Sequence, residues 1–448
     1  MSYIQTRPRT LASWPSVAVL LVTLGASSPV VAQVAPGDVT ALLKASEVGD
    51  LQGLRAAEPG IKAPGLKALV DARLDEARFD EAAAERDLKR YFASGDADPV
   101  RQAVAWSIAF DVAVARGDYA AGAKASARWV ERLPSSDPRR TEADQDEAVS
   151  RALASVPRQA IIASHPISIA TSRDKVGLMT AGALINGQAQ TVIVDTGADL
   201  SVLSMSAAKR LNVHLLDGVS IHSATRDVVP VTLGVADNLE FAGFRLSNVV
   251  FVVIDDAQLQ APGGYQIESI VGFPVLRAIR RIRFTSDGRL APEPASTSPV
   301  KDVGELRSVG SHLYVTARLG GIDTPLHLDT GATDSSLSAL FAARHPEVLS
   351  RLDRGKAGNT SVGGTTVQEI ASWKAVPVEI GGRTMTLPSL DIAVTDVPGS
   401  EAKRIGARGQ DILGGFCGYT LDFQQATFEL GDPKGPGGCQ PEASPVGH

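Results

Sequence analysis

Two aspartates dominate the chemistry open to this chain. Asp195 and Asp329 each open the tetrapeptide Asp-Thr-Gly-Ala, and each follows an apolar run. Two carboxyls held side by side cannot both ionise, so they share one proton. One oxygen can then take a proton from a water while the other group donates one to a carbonyl. That is hydrolysis with no metal and no covalent intermediate. Other catalytic patterns are missing from the sequence. There is no HExxH or CxxC spacing, no Walker-type glycine loop and no serine nucleophile elbow. No cofactor and no metal are expected.

The elements that must position the aspartates come as an internal repeat. One copy reads GLMTAGALINGQAQTVIVDTGADLSVLS (177–204) and the other HLYVTARLGGIDTPLHLDTGATDSSLS (312–338). Each holds two strands, a turn, an apolar strand and then Asp-Thr-Gly-Ala, with the aspartates 329 − 195 = 134 positions apart. Asn186-Gly187 between alternating runs is a strong hairpin signal. Downstream, 239–253 parallels 378–394, and RIRF (281–284) parallels TLDF (420–423). Between these lies an apolar-apolar-Gly triplet, Ile270-Val271-Gly272 in one copy and Ile412-Leu413-Gly414 in the other. A period this long describes a duplicated β lobe, not a stacked solenoid.

Asp-Thr-Gly after an apolar strand, with apolar-apolar-Gly downstream, resembles the pepsin and retropepsin aspartic peptidases over roughly residues 170–430. The resemblance implies a mostly β, bilobal acid-protease fold with Asp195 and Asp329 catalytic. It implies that Thr196 and Thr330 hydrogen-bond across the pseudo-axis, and that Gly197 and Gly331 permit the tight backbone beside the carboxyls. Retroviral relatives dimerise a single lobe. This chain carries both halves, so a monomeric catalytic unit is expected. A β-hairpin flap would cover an extended polypeptide substrate; the Gly363-Gly364 turn of the second copy fits one, and 219–231 is the first-copy counterpart. Asp199 and Asp334 would support the loops. Ala198 and Ala332 stand where pepsin usually has a hydroxyl residue. Lacking that hydrogen bond, the dyad should titrate higher and work at mildly acidic to neutral pH. His327, two residues before Asp329, reads as a hydrogen-bonded, partly buried histidine, with an electrostatic neighbour of the dyad as the rival reading.

The expected reaction is therefore aspartic-type endopeptidase hydrolysis of exported or cell-envelope polypeptides. The alternative is a non-catalytic peptide-binding protein on the same fold. The rest of the 448-residue chain divides as follows. Residues 1–32 read as a secretory signal, with Arg7 and Arg9 before an apolar stretch and a small-residue site at Ala32. A periplasmic or secreted location would follow. Residues 33–155 read as α-helical, TPR-like or a prosegment, with hairpin turns near Phe79 and at Gly117-Asp118, and open to a protein partner. Lobe 1 is expected over 165–290, a Pro/Ser-rich linker at 291–299, lobe 2 over 305–431 and an irregular tail over 432–448. Net charge is −6 with both signs interspersed, which argues against nucleic acid. Cys417 and Cys439, after export, could pair or remain free.

Overall fold

The computed structural model describes residues 39–137, 139–221, 229–261, 264–295, 303–361, 364–395, 404–435 and 437–439. The expected signal over 1–32 lies outside the described residues.

The chain opens on helices α1 (Val39–Ser46), α2 (Gln52–Ala57), α3 (Pro64–Ala77), α4 (Glu81–Ala93), α5 (Pro99–Ala115), α6 (Tyr119–Val130) and α7 (Arg140–Ala152). Aspartate caps set three of the starts. Asp80, Asp98 and Asp118 accept from the backbone N–H groups of Ala83, Arg101 and Ala121, each cap contributing about 1 kcal/mol. Turns fall at Phe79 and Gly117, both with positive φ. Leu43, Leu54, Leu69, Tyr91 and Ile108 are fully buried in a helical core.

A first β unit follows: β1 (Ala160–Ser164), β2 (Ile169–Arg173), β3 (Met179–Ile185), β4 (Gln188–Val194), β5 (Ser201–Ser204), α8 (Met205–Arg210), β6 (His214–Ile221), β7 (Val229–Phe241) and β8 (Phe244–Ile254). The short ladder β9 (Gln260–Ala261) with β10 (Tyr265–Gln266) leads to β11 (Ser269–Val271), α9 (Phe273–Ala278), β12 (Arg281–Phe284) and β13 (Arg289–Pro292). The second β unit runs through β14 (Gly304–Val309), β15 (His312–Leu319), β16 (Ile322–Leu328), β17 (Ser336–Leu337), α10 (Ala339–Arg344), α11 (Pro346–Leu349), β18 (Asp353–Ser361), β19 (Gly364–Ile380) and β20 (Arg383–Ala393). It closes with β21 (Gly406–Arg408), α12 (Gln410–Leu413), β22 (Tyr419–Asp422) and β23 (Thr427–Leu430).

Tight turns set the hairpin registers. Asn186 and Gly187 take φ of 48° and 77° between β3 and β4, and Gly320 and Gly321 take 54° and 93° between β15 and β16. Positive φ at both central residues matches the twist of the flanking strands. The two units share their wiring around the aspartates. β4 pairs parallel with β11, and β16 parallel with β21. β5 lies antiparallel to β11 and parallel to β8; β17 does the same with β21 and β20.

The units join through one sheet ordered β2-β13-β12-β22-β23-β14. At its centre Arg281, on β12, reaches Asp422 at 2.7 Å, Glu293 at 3.0 Å and Glu429 at 3.0 Å. Asp422 is fully buried and both its oxygens are satisfied, Oδ2 by Arg281 and Oδ1 by the N–H groups of Gln424 and Gln425. Ala291 and Pro292 belong to β13, paired with Arg283 and Ile282, so the expected linker begins later than composition suggested. The tail is not wholly irregular either. Cys439 is disulfide-bonded to Cys417, and Phe416 bridges Pro433.

The helices pack directly on the β units. Phe79 meets Phe423 edge-on at 5.6 Å and lies beneath the Arg277 guanidinium, which also pairs with Glu81. Glu76 accepts from the Gly310 N–H at 3.1 Å, and Arg55 pairs with Glu305. Gly49, at φ 78°, lies flat against the Tyr314 ring; a Cβ there would stand 2.6 Å from it.

Candidate active site

Each aspartate sits just past the end of a buried strand whose partner strand runs parallel behind it. The Asp195 N–H donates to the Val271 carbonyl at 3.0 Å, and the Asp329 N–H to the Arg408 carbonyl at 3.1 Å. Threonines lock the two loops together. Thr330 Oγ1 accepts from the Thr196 N–H at 2.9 Å and donates to the Val194 carbonyl at 2.8 Å. Thr196 Oγ1 accepts from the Thr330 N–H at 3.1 Å and donates to the Leu328 carbonyl at 2.7 Å. Both threonines are fully buried, so each hydroxyl satisfies backbone groups that water cannot reach.

The interlock brings the carboxyls together. Asp195 Oδ1 accepts from the N–H groups of Gly197 at 2.7 Å and Gly331 at 3.1 Å, and Asp329 Oδ1 accepts from Gly331 at 2.9 Å. The Gly331 N–H is thus shared by both carboxyls, one oxygen from each. No side chain fits at either glycine. A Cβ on Gly197 would lie 2.6 Å from the Asp329 carboxyl, and one on Gly331 2.3 Å from that of Asp195.

Burial, then the neighbouring Asp329 charge, pushes the Asp195 carboxyl up to about 8. Burial also raises Asp329, but the Arg404 guanidinium opposes it. The pair thus titrates as one unit that keeps a proton around neutrality. Such a pair can hold a water, take a proton from it and give one to a polarised carbonyl.

The glycine behind the second loop needs correcting. Residues Ile270-Val271-Gly272 of the first unit have Ala407-Arg408-Gly409 as their structural counterpart, not Ile412-Leu413-Gly414. Ile193 pairs with Ile270, whereas His327 pairs with Ala407. A Cβ on Gly272 would meet the backbone of Ala198 and Leu200 within 2.8 Å, and one on Gly409 that of Asp334 within 2.9 Å. Ile412 and Leu413 lie in α12 and Gly414 caps it. A search for two apolar residues before a glycine passes over the true site because Arg408 breaks the pattern. Its guanidinium is fully buried over the Phe428 ring at 4.2 Å with no hydrogen-bond partner among the described residues.

Further residues emerge only in three dimensions. Ser201 and Ser335 accept from the N–H groups of Gly272 and Gly409 at 3.1 and 2.9 Å. Each stands six residues past its aspartate, so aligning the two copies could have found them. Ser335 also binds Asp411, and Gln410 donates to the Thr330 carbonyl at 2.7 Å while accepting from Arg173 at 2.8 Å. Asp199 contacts His312 at 2.9 Å, and Asp334 accepts from Thr333 at 2.8 Å. His327 is fully buried rather than partly so, and its Nδ1 lies 2.6 Å from Arg404.

Two long hairpins, β6–β7 and β18–β19, follow the two aspartate loops along the chain. Gly364 starts β19 and pairs with Ser361. Gly363 and the first-hairpin tip at 222–228 lie outside the described residues.

Residues 181–275 match the family model described as aspartyl protease. No curated protein matches the chain. Among solved structures, the chain is similar to a retropepsin-like aspartic protease from Rickettsia conorii at 21% identity, covering 28% of this chain and 87% of that one with a TM-score of 0.22. It is similar also to the EIAV protease complexed with the inhibitor HBY-793 at 20% identity, covering 22% and 84% with a TM-score of 0.17.

Proposed function

We propose that the chain, whose residues 181–275 match the aspartyl protease family model, is a single-chain aspartic endopeptidase built as two repeats of one β lobe, with Asp195 and Asp329 as its catalytic pair. The observation that carries this reading is the meeting of the two carboxyls on the single Gly331 N–H beside the threonine interlock. Protonated Asp195 donates to the carbonyl oxygen of the scissile bond. Ionised Asp329 takes a proton from the water that attacks the carbonyl carbon. The tetrahedral diol then collapses as a proton passes to the leaving nitrogen, and the C–N bond breaks.

The substrate is an extended polypeptide paired with strand edges beneath the two hairpins. The chain works after export, in the periplasm or outside the cell, with residues 1–32 removed. The helical region stays attached and is open to a protein partner. Its buried contacts at Phe79 and Tyr314 support that reading.

The test is cleavage of an unstructured protein between pH 3 and 8. Asp195→Asn and Asp329→Asn should each lower kcat/KM by about a thousandfold, in keeping with loss of acid–base catalysis. A metal chelator should change nothing. Peptide binding without cleavage in the wild type would overturn the reading and favour a binding protein.

A further inference from the structure

Beside the aspartates the two β units differ at a pair of matched positions. In the first, the residue two before Asp195 is Ile193, whose strand neighbour Ile270 packs with Ile267 in an apolar cluster containing Val202, Ile254 and Leu259. In the second, the residue two before Asp329 is His327, and Arg404 precedes Ala407 by the three residues that separate Ile267 from Ile270. A positive charge and an imidazole therefore stand where the first unit carries two isoleucines.

The histidine is arranged to hold the arginine. Arg404 cannot give up its charge and has only donors, so His327 Nδ1 must accept, which places the single ring proton on Nε2. The ring is neutral: burial, the Arg404 charge and His312 all push its pKa far down. His327 Nε2 has no hydrogen-bond partner, so contact with Arg404 is the polar reason for a histidine at this buried place. The groups facing the pair are Asp195 across the axis, His312 and Tyr314 on β15, and Asp199 bound to His312. Glu142 of α7 and Arg307 of β14 act on Tyr314 from further out.

We propose that Arg404, held by His327, is a positioning residue that decides which aspartate of the pair is ionised, making Asp329 the base and Asp195 the proton carrier. Two similar loops would otherwise leave the shared proton free to sit on either side. A fixed charge on one side lifts that equivalence. This inference rests on the peptidase reading for its catalytic meaning, but the charge asymmetry stands without it.

Two measurements separate the claims. The pH dependence of kcat/KM on an unstructured protein should show an acid limb that moves up by about one pH unit in Arg404→Met, as loss of a nearby opposite charge requires. Arg404→Lys, which keeps the charge, should restore most of that shift. A fall in kcat/KM with an unmoved limb means a merely structural role and overturns the proposal. Carbon-13 titration of aspartate-labelled protein reads the same quantity without substrate, with Asp195→Asn and Asp329→Asn assigning the signals. The Asp329 midpoint should rise in Arg404→Met and stay low in Arg404→Lys; equal midpoints in all three proteins overturn it. If Arg404→Met does not fold, His327→Ile installs the first unit's residue and releases the arginine. Its acid limb and Asp329 midpoint must also rise, and no change in either overturns the proposal. Should the wild type cleave nothing while the titration behaves as expected, the peptidase reading fails and the charge asymmetry survives.

Discussion

At the residue scale the site depends on single buried hydroxyls that each serve two backbone groups. Thr330→Ala removes one hydroxyl and strands two buried backbone groups, the Thr196 N–H and the Val194 carbonyl. Each unsatisfied group costs about 1–3 kcal/mol, so a loss of about 3 kcal/mol is expected in denaturant unfolding. Thr330→Ser keeps the hydroxyl and should stay much closer to the wild type. The Asp-Thr-Gly loops were legible because their chemistry lies within four consecutive residues. Arg404 and Arg408 were not. Their roles depend on strands that return from elsewhere in the chain, and nothing near them in sequence marks an arginine as buried behind a carboxyl loop.

Elements show the same division. Hairpins closed by Asn186-Gly187 and Gly320-Gly321 can be read directly, since those residues alone take the positive φ that the turns need. The start of β13 inside a Pro/Ser-rich stretch could not, because pairing with β12 overrides composition. Phe79 illustrates a local cost overcome by packing. Its φ of 63° strains a non-glycine residue by about 1–2 kcal/mol. Its partly buried ring packs edge-on against Phe423 and under the Arg277 guanidinium, contacts that offset this strain. Phe79→Ala should therefore loosen the helices from the β units. Limited proteolysis near residues 153–160 would report this as faster cleavage, with the β units themselves intact.

For the whole molecule, the raised carboxyl of Asp195 links protonation to stability. Its folded value of about 8 lies above the ordinary value of 3.8. Its contribution is thus fully present below about pH 4 and is lost as pH rises towards 8. Thermal unfolding across that range should fall more steeply in the wild type than in Asp195→Asn, which cannot titrate. The Cys417–Cys439 disulfide closes a loop with a sequence separation of 22. Constraint of the unfolded chain predicts about 3 kcal/mol from it. Reduction, or Cys417→Ser with Cys439→Ser, should lower stability by that order while leaving the dyad in place.

The sheet that joins the two β units also sets an order of events in time. β12 is complete once residue 284 has emerged, but its neighbour β22 begins at Tyr419. Throughout the synthesis of the residues between them, one edge of β12 stands open, with backbone groups ready to pair with any passing strand. That edge must be kept from closing on a wrong partner until the late strands of the second unit arrive.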